Sequence, residues 1–228
     1  MELKSYFCAM QVKICGITRL SDALHAISHG VGWLGFNFVP GSKRFIAPAE
    51  AAGIIASLPT GIRSVGVFMD QDEGSIRSVL SRVPLDTLQF HGNEIPELLA
   101  RFDVAIIKAF AVDATFAPSA ISAYGSVADY YLFDSKVAGQ TGGTGHAFDW
   151  NLLPKCGKPF FLAGGIGADN AVDAVRQAAP WALDLNSKLE SAPGIKDPSL
   201  VATCLERLKA AGFGATAAPD RAERHRSS

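Results

Sequence analysis

The chain has 228 residues, 48% of them apolar and 19% charged, which suits one large soluble domain with a substantial buried core. Its 21 basic and 22 acidic side chains leave a formal charge of -1. That balance excludes an electrostatic footprint for nucleic acid and a polybasic patch for a membrane surface, so affinity for phosphate has to come from a local site. The four cysteines, Cys8, Cys15, Cys156 and Cys204, have neither Cys-x-x-Cys spacing nor a framework of small disulfide loops, and a reducing, cytoplasmic setting is expected. No secretory leader and no apolar run of membrane-spanning length are read in the sequence.

Taken in chain order, residues 1–10 read as an N-terminal extension, with Met10 a natural start. Residues 11–213 read as one domain, and 214–228 as a disordered tail of Ala, Pro, Arg and Ser without periodicity. Nearly continuous apolar runs predict strands at Val12–Cys15, Trp33–Phe38, Ser64–Phe68, Leu85–Phe90, Val104–Ala109, Tyr130–Phe133, Pro159–Ala163 and Ala182–Leu185. Helical patterns fill the gaps at Leu20–Ser28, Pro48–Leu58, Ile76–Ser81, Ile95–Phe102, Thr115–Tyr124, Trp150–Leu153, Asn170–Ala178 and Leu200–Ala211, with Asp197-Pro198 a start signal for the last. Eight strand–helix units in one domain point to an α/β fold of the single-domain (β/α)8 TIM barrel type, with a doubly wound open sheet as the alternative.

A barrel of this kind places its chemistry at the strand C-termini and in the loops that follow them. Cys15 stands where the first strand opens into a glycine turn. To act as a base its thiol needs a lowered pKa, and Lys13, on the same side of the strand, is the candidate cationic neighbour. A small buried hydrophobe is the plainer reading of a free cysteine. Asp134 ends the apolar run Tyr130–Phe133, so desolvation is expected to favour its protonated form and let it donate a proton; a turn or capping aspartate is the alternative. Arg44, in a loop after the second strand, suits bidentate capture of a carboxylate or phosphate.

Gly164 and Gly165 follow the seventh strand, and Asn186, Ser187 and Lys188 follow the eighth. Together they offer backbone amides, a side-chain amide, a hydroxyl and an ammonium for a phosphate. His91 and Asp184, both at strand ends, are candidate site-lining residues. His25 and His29 have a helical spacing that can hold a metal, but no third ligand lies nearby in sequence. The glycine-rich stretch 139–145 reads as a flexible loop, a mobile flap or a close-contact loop.

These segments resemble phosphoribosylanthranilate isomerase, a (β/α)8 enzyme of tryptophan synthesis. The resemblance runs from about Val12 to about Leu208. It rests on Lys-Ile-Cys-Gly-Ile-Thr at 13–18, Gly-Phe-Asn-Phe at 35–38, Ser-Lys-Arg at 42–44, Gln-Phe-His-Gly at 89–92 and Phe-Asp-Ser at 133–135. Gly-Gly-Thr-Gly with Phe-Asp-Trp within 142–150, Leu-Ala-Gly-Gly-Ile at 162–166 and Glu-Ser-Ala-Pro-Gly-Ile-Lys-Asp at 190–197 continue it in order.

The resemblance implies an Amadori rearrangement of N-(5-phosphoribosyl)anthranilate to the 1-deoxyribulose 5-phosphate product, with no cofactor and no metal. Asp134 would be the general acid at the furanose oxygen and Cys15 the general base at C2. Arg44 would hold the anthranilate carboxylate, and Gly164, Gly165, Asn186, Ser187 and Lys188 the phosphate. His91 and Asp184 would line the sugar site. The partner implied is a small phosphorylated substrate, and monomer and homodimer both stay open. Two departures stand out: Lys188 where the family often has glycine, and Lys43 where proline often precedes the arginine. The rival readings are the analogous sugar-phosphate isomerase of histidine synthesis, which places an aspartate near the end of its first strand, and a catalytically silent phosphate-binding barrel.

Overall fold

The computed structural model describes residues 10–135 and 149–218. Eight parallel strands close into a barrel in sequence order: β1 (Gln11–Ile14), β2 (Trp33–Asn37), β3 (Arg63–Phe68), β4 (Thr87–Phe90), β5 (Ala105–Val112), β6 (Tyr130–Ser135), β7 (Phe160–Leu162) and β8 (Ala182–Leu185). The open-sheet alternative falls with the β1–β8 pairing, in which Lys13 lies beside Asp184. Helices α1 (Leu20–Ser28), α2 (Pro48–Ala56), α3 (Glu73–Leu80), α4 (Pro96–Leu99), α5 (Ala171–Ala178) and α6 (Pro198–Ala210) occupy the connections. Asp72 caps α3 by accepting from the Ser75 N–H, and Asp197 caps α6 by accepting from Ser199 and Leu200.

Three expected helices shrink, that at 150–153 to the 3-10 turn Trp150–Leu152. The fifth connection holds only a 3-10 stretch, Pro118–Tyr124, because a helix from Thr115 would place Pro118, with no N–H, inside its first turns. Helix α4 starts at Pro96 as a proline at the first helical position should, but stops after one turn, with Ala100 as its C-cap. A two-stranded hairpin, β9 (Glu190–Ala192) with β10 (Ile195–Lys196), follows β8 and was not anticipated from the sequence.

Alternation along each strand divides the core in two. Outward-facing Val12, Ile14, Leu34, Phe36, Phe90, Phe133, Leu183 and Leu185 pack under the helices. Inward-facing Trp33, Val65, Ile107, Leu132, Phe161 and Ala182 fill the barrel, with Tyr130 and Trp181 edge-on or stacked against them.

The lower end is closed by residues expected to be a tail. The Met10 N–H donates to Gly214 O, the Thr216 N–H donates to Met10 O, and Gln11 Nε2 donates to Thr216 Oγ1 at 2.8 Å while its Oε1 accepts from Trp33 Nε1 at 3.0 Å. Residues 214–218 are therefore part of the packed domain, because the amide of Gln11, facing inward among aromatics, needs those partners. The rest of the expected tail, residues 1–9 of the expected extension and the expected flap at 139–145 lie outside the described residues.

Candidate active site

On β1 and the residue just after it the inward positions are Gln11, Lys13 and Cys15, rising from the barrel's base to its upper mouth. Lys13 is fully buried and its Nζ lies 2.8 Å from Asp184 Oδ1 on the neighbouring strand. The same ammonium also acts on the Cys15 side chain, pulling its thiol pKa down. Burial works against a charged Lys13, but Asp184 and Cys15 outweigh it and raise its pKa, so the lysine stays protonated.

The expected lowered thiol pKa is not found. Burial pushes the Cys15 thiol up, and Lys13 and Lys196 pull it back only in part, with Asp184 adding to the rise. Lys13 is the cationic neighbour anticipated from strand alternation, yet its charge is shared with Asp184. Burial of the thiol outweighs that charge, and the counter-ion lies 171 residues away in the chain.

Asp134 occupies the fifth position of β6, within the strand, so the turn and capping alternatives do not apply. It shares the inward parity of Tyr130 and Leu132 and is buried. Its Oδ2 lies 3.4 Å from His91 Nε2, whose Nδ1 is 3.0 Å from Gln89 Nε2. Oδ1 is buried with no hydrogen-bond partner among the described residues. A buried acceptor of this kind is a place for a ligand's hydroxyl or protonated oxygen. Asp184 feels the charge of both Asp134 and His91, so the order Cys15, Lys13, Asp184, Asp134, His91 is one continuous electrostatic group across the mouth.

Two glycines make room for this group. A Cβ on Gly35 of β2 would stand 2.8 Å from Cys15 Sγ and 3.2 Å from Lys13 Cε. A Cβ on Gly164 would stand 2.6 Å from the Ser135 nitrogen and 2.9 Å from Asp134 Oδ1, and Gly164 has φ +89°. Gly35 was quoted in the sequence only as part of a motif; its inward parity opposite Cys15 was the available signal.

The loops after β7 and β8 meet as expected. The Gly164 and Gly165 N–H groups make no backbone hydrogen bond among the described residues, while Gly167 N–H and Gly165 O are both held by the Asn170 side chain. Gly167 packs on the Lys188 side chain, and Lys188 Nζ lies 3.5 Å from Asp169. Ser187–Leu189 forms a 3-10 turn, and Asn186 turns its Oδ1 to accept from Lys196 Nζ at 2.9 Å. Lys188 is therefore partly engaged by Asp169, and Asn186 is part of the loop's internal frame.

Arg44 reaches the same mouth and is gripped by Glu190: Nε donates at 2.9 and 3.1 Å and Nη2 at 2.7 Å. Glu190 and Lys196 lay within a quoted motif but had no role assigned. His25 and His29 belong elsewhere. Their ring nitrogens contact the backbone carbonyls of Pro198 and His25, and no group of three or more metal-type ligands forms among the described residues.

The family model described as N-(5'phosphoribosyl)anthranilate (PRA) isomerase matches residues 12–207. A relative from Nitrosospira multiformis, named N-(5'-phosphoribosyl)anthranilate isomerase, is 43% identical over 195 residues, covering 85% of this chain and 94% of that protein. The crystal structure of phosphoribosyl anthranilate isomerase from Thermus thermophilus superposes with a TM-score of 0.79 at 38% identity, covering 88% of this chain and 99% of the other. A further solved structure, at TM-score 0.77 and 32% identity with 88% and 99% coverage, is of phosphoribosyl anthranilate isomerase in complex with reduced 1-(o-carboxyphenylamino)-1-deoxyribulose 5-phosphate. With the family's barrel closed around its own motifs, this chain belongs to the phosphoribosylanthranilate isomerase family.

Proposed function

We infer that Cys15 and Asp134 are the base and acid of the Amadori rearrangement by which this chain converts N-(5-phosphoribosyl)anthranilate to 1-(2-carboxyphenylamino)-1-deoxyribulose 5-phosphate. The isomerase activity, and its place in tryptophan biosynthesis, follow from the family. The division of labour follows from the strands. Asp134 donates its proton to the furanose oxygen as the C1–O bond breaks, and the anilino nitrogen lone pair forms the C1=N bond. Cys15 takes the C2 proton from the imine, giving an enolamine. Protonation at C1 and loss of the O2 proton then give the ketone.

The observation that carries this reading is that Cys15 and Asp134 face inward from β1 and β6 at the same end of the barrel, each beside a glycine whose missing Cβ leaves room for it. Lys13 supplies the charge that stabilises the thiolate form, and Asp184 fixes Lys13. Arg44 receives the anthranilate carboxylate. The Gly164 and Gly165 amides, with Ser187 and Lys188, receive the phosphate. His91 holds Asp134 from the sugar side. A cytoplasmic setting fits the free thiols of Cys15, Cys156 and Cys204, and no helix among the described residues is long and apolar enough to cross a membrane.

Complementation tests the activity directly. Expression should restore growth of a tryptophan auxotroph lacking this isomerase and leave a histidine auxotroph lacking the analogous enzyme unrescued. Rescue of the histidine strain alone would favour the rival sugar-phosphate isomerase, and rescue of neither would favour a silent barrel.

A further inference from the structure

The segment from Glu190 to Lys196 supplies neither the acid nor the base of the reaction, yet the structure places a cluster of buried polar contacts there. The β9–β10 hairpin is stapled to the chain just after Cys15. The Thr18 hydroxyl donates to Gly194 O, Asp22 accepts from the Lys196 N–H at 2.9 Å, and Arg19 donates to Lys196 O at 3.2 Å. Glu190, at the hairpin's start, has a side chain only 4% exposed. Its Oε1 accepts from Arg44 Nε at 2.9 Å, Lys196 Nζ at 2.8 Å and Gly194 N at 3.2 Å, and its Oε2 accepts from Arg44 Nη2 at 2.7 Å.

This geometry divides the guanidinium. Glu190 takes the side-on edge, Nε with Nη2. The end-on edge, Nη1 with Nη2, is left for a second planar acceptor, since the five N–H donors lie in one fixed plane. The charges fit such an acceptor: one carboxylate between two cations leaves the Arg44–Glu190–Lys196 group at +1, to be balanced by a single carboxylate. Lys43, standing where a proline often precedes the arginine, is exposed.

We propose that Glu190 is a positioning residue that sets substrate selectivity: by holding one edge of Arg44 it presents the other to the ring carboxylate, and so makes the enzyme prefer an ortho-carboxylated arylamine over a plain one. This rests on the reading of Arg44 as the carboxylate clamp. A freely rotating arginine would have to be ordered by the ligand itself, at a cost in affinity. The opposing effect, stronger attraction once a negative charge is removed, would tighten the carboxylated probe and is read by the same test. Burial already lowers the Lys196 pKa, and Glu190 is the first group that counters it.

The test is calorimetry on the full chain with two probes, reduced 1-(o-carboxyphenylamino)-1-deoxyribulose 5-phosphate and the same compound without the ring carboxylate. Glu190→Gln should weaken the carboxylated probe by about tenfold, the scale of one charge-assisted hydrogen bond, and leave the other probe's Kd unchanged. Arg44→Ala should abolish the preference. If Arg44→Ala does so while Glu190→Gln binds both probes as the wild type does, the inference fails and the clamp stands. If Arg44→Ala keeps the preference, the clamp reading fails and takes this inference with it. Equal loss of both probes in Glu190→Gln, or tighter binding of the carboxylated one, also overturns it. Should Glu190→Gln not fold, Glu190→Asp, too short to span Nε and Nη2 from the same backbone, is judged by the same split.

Discussion

Cys15 is a base whose environment opposes its ionisation. Burial raises its pKa above the ordinary thiol value of 9.0, and the stabilising charges of Lys13 and Lys196 recover only part of that rise while Asp184 adds to it. The sign follows for activity. A base with a raised pKa is mostly protonated at neutral pH, so kcat/KM, which reports the free enzyme, should still be climbing as pH passes the neutral range. Lys13→Met removes the nearest cation and should carry that climb to higher pH. An unchanged or downward-shifted profile in this variant would remove Lys13 from the account. The identity of the thiol was legible in the sequence because a cysteine at a strand end before a glycine is an unusual placement. Its pKa direction was not, since it is set first by the depth of burial at the closed barrel's mouth and only then by Lys13 and Asp184.

At the scale of elements, His91 is held where it meets Asp134 by the loop after β4, and that loop is held by β5. Lys108, buried on β5, donates to Gly92 O at 2.6 Å and to Glu94 Oε2 at 3.0 Å, and Glu94 accepts from the Asp70 and Gly92 N–H groups. Lys108→Met leaves the Glu94 carboxylate buried without its cation, which should cost about 3–5 kcal/mol of stability. Denaturant titration checks this, and a loss below about 1 kcal/mol would mean that the backbone N–H groups alone carry Glu94. Strands were read well because inward and outward positions of a parallel barrel are both apolar and stand out from the turns. The short elements were read less well: the 118–124 stretch begins only at Pro118, and α4, started by Pro96, stops after one turn at Ala100, so both are shorter than periodicity alone suggests. The hairpin of β9 and β10 is fixed by contacts to Thr18, Asp22 and Arg44, none of them local, so its five residues carried no strand signal of their own.

The whole molecule brings distant sequence to one mouth. Position 15 on β1 and position 134 on β6 become parts of one group through Lys13 and Asp184, while residues 214–218 seal the opposite end beneath Trp33 and Gln11. Closure of the barrel was legible from the count of strand–helix units; the seal was not, because its composition alone resembles a tail and only the buried amide of Gln11 gives it a role. The central claim is that the thiol of Cys15 and the carboxyl of Asp134 act on one bound sugar. It is tested most directly by steady-state turnover of N-(5-phosphoribosyl)anthranilate by Cys15→Ala and Asp134→Asn, with circular dichroism to confirm the fold. Each variant should lose about 10²–10⁴-fold in kcat while remaining folded. Wild-type turnover by either folded variant would contradict the account.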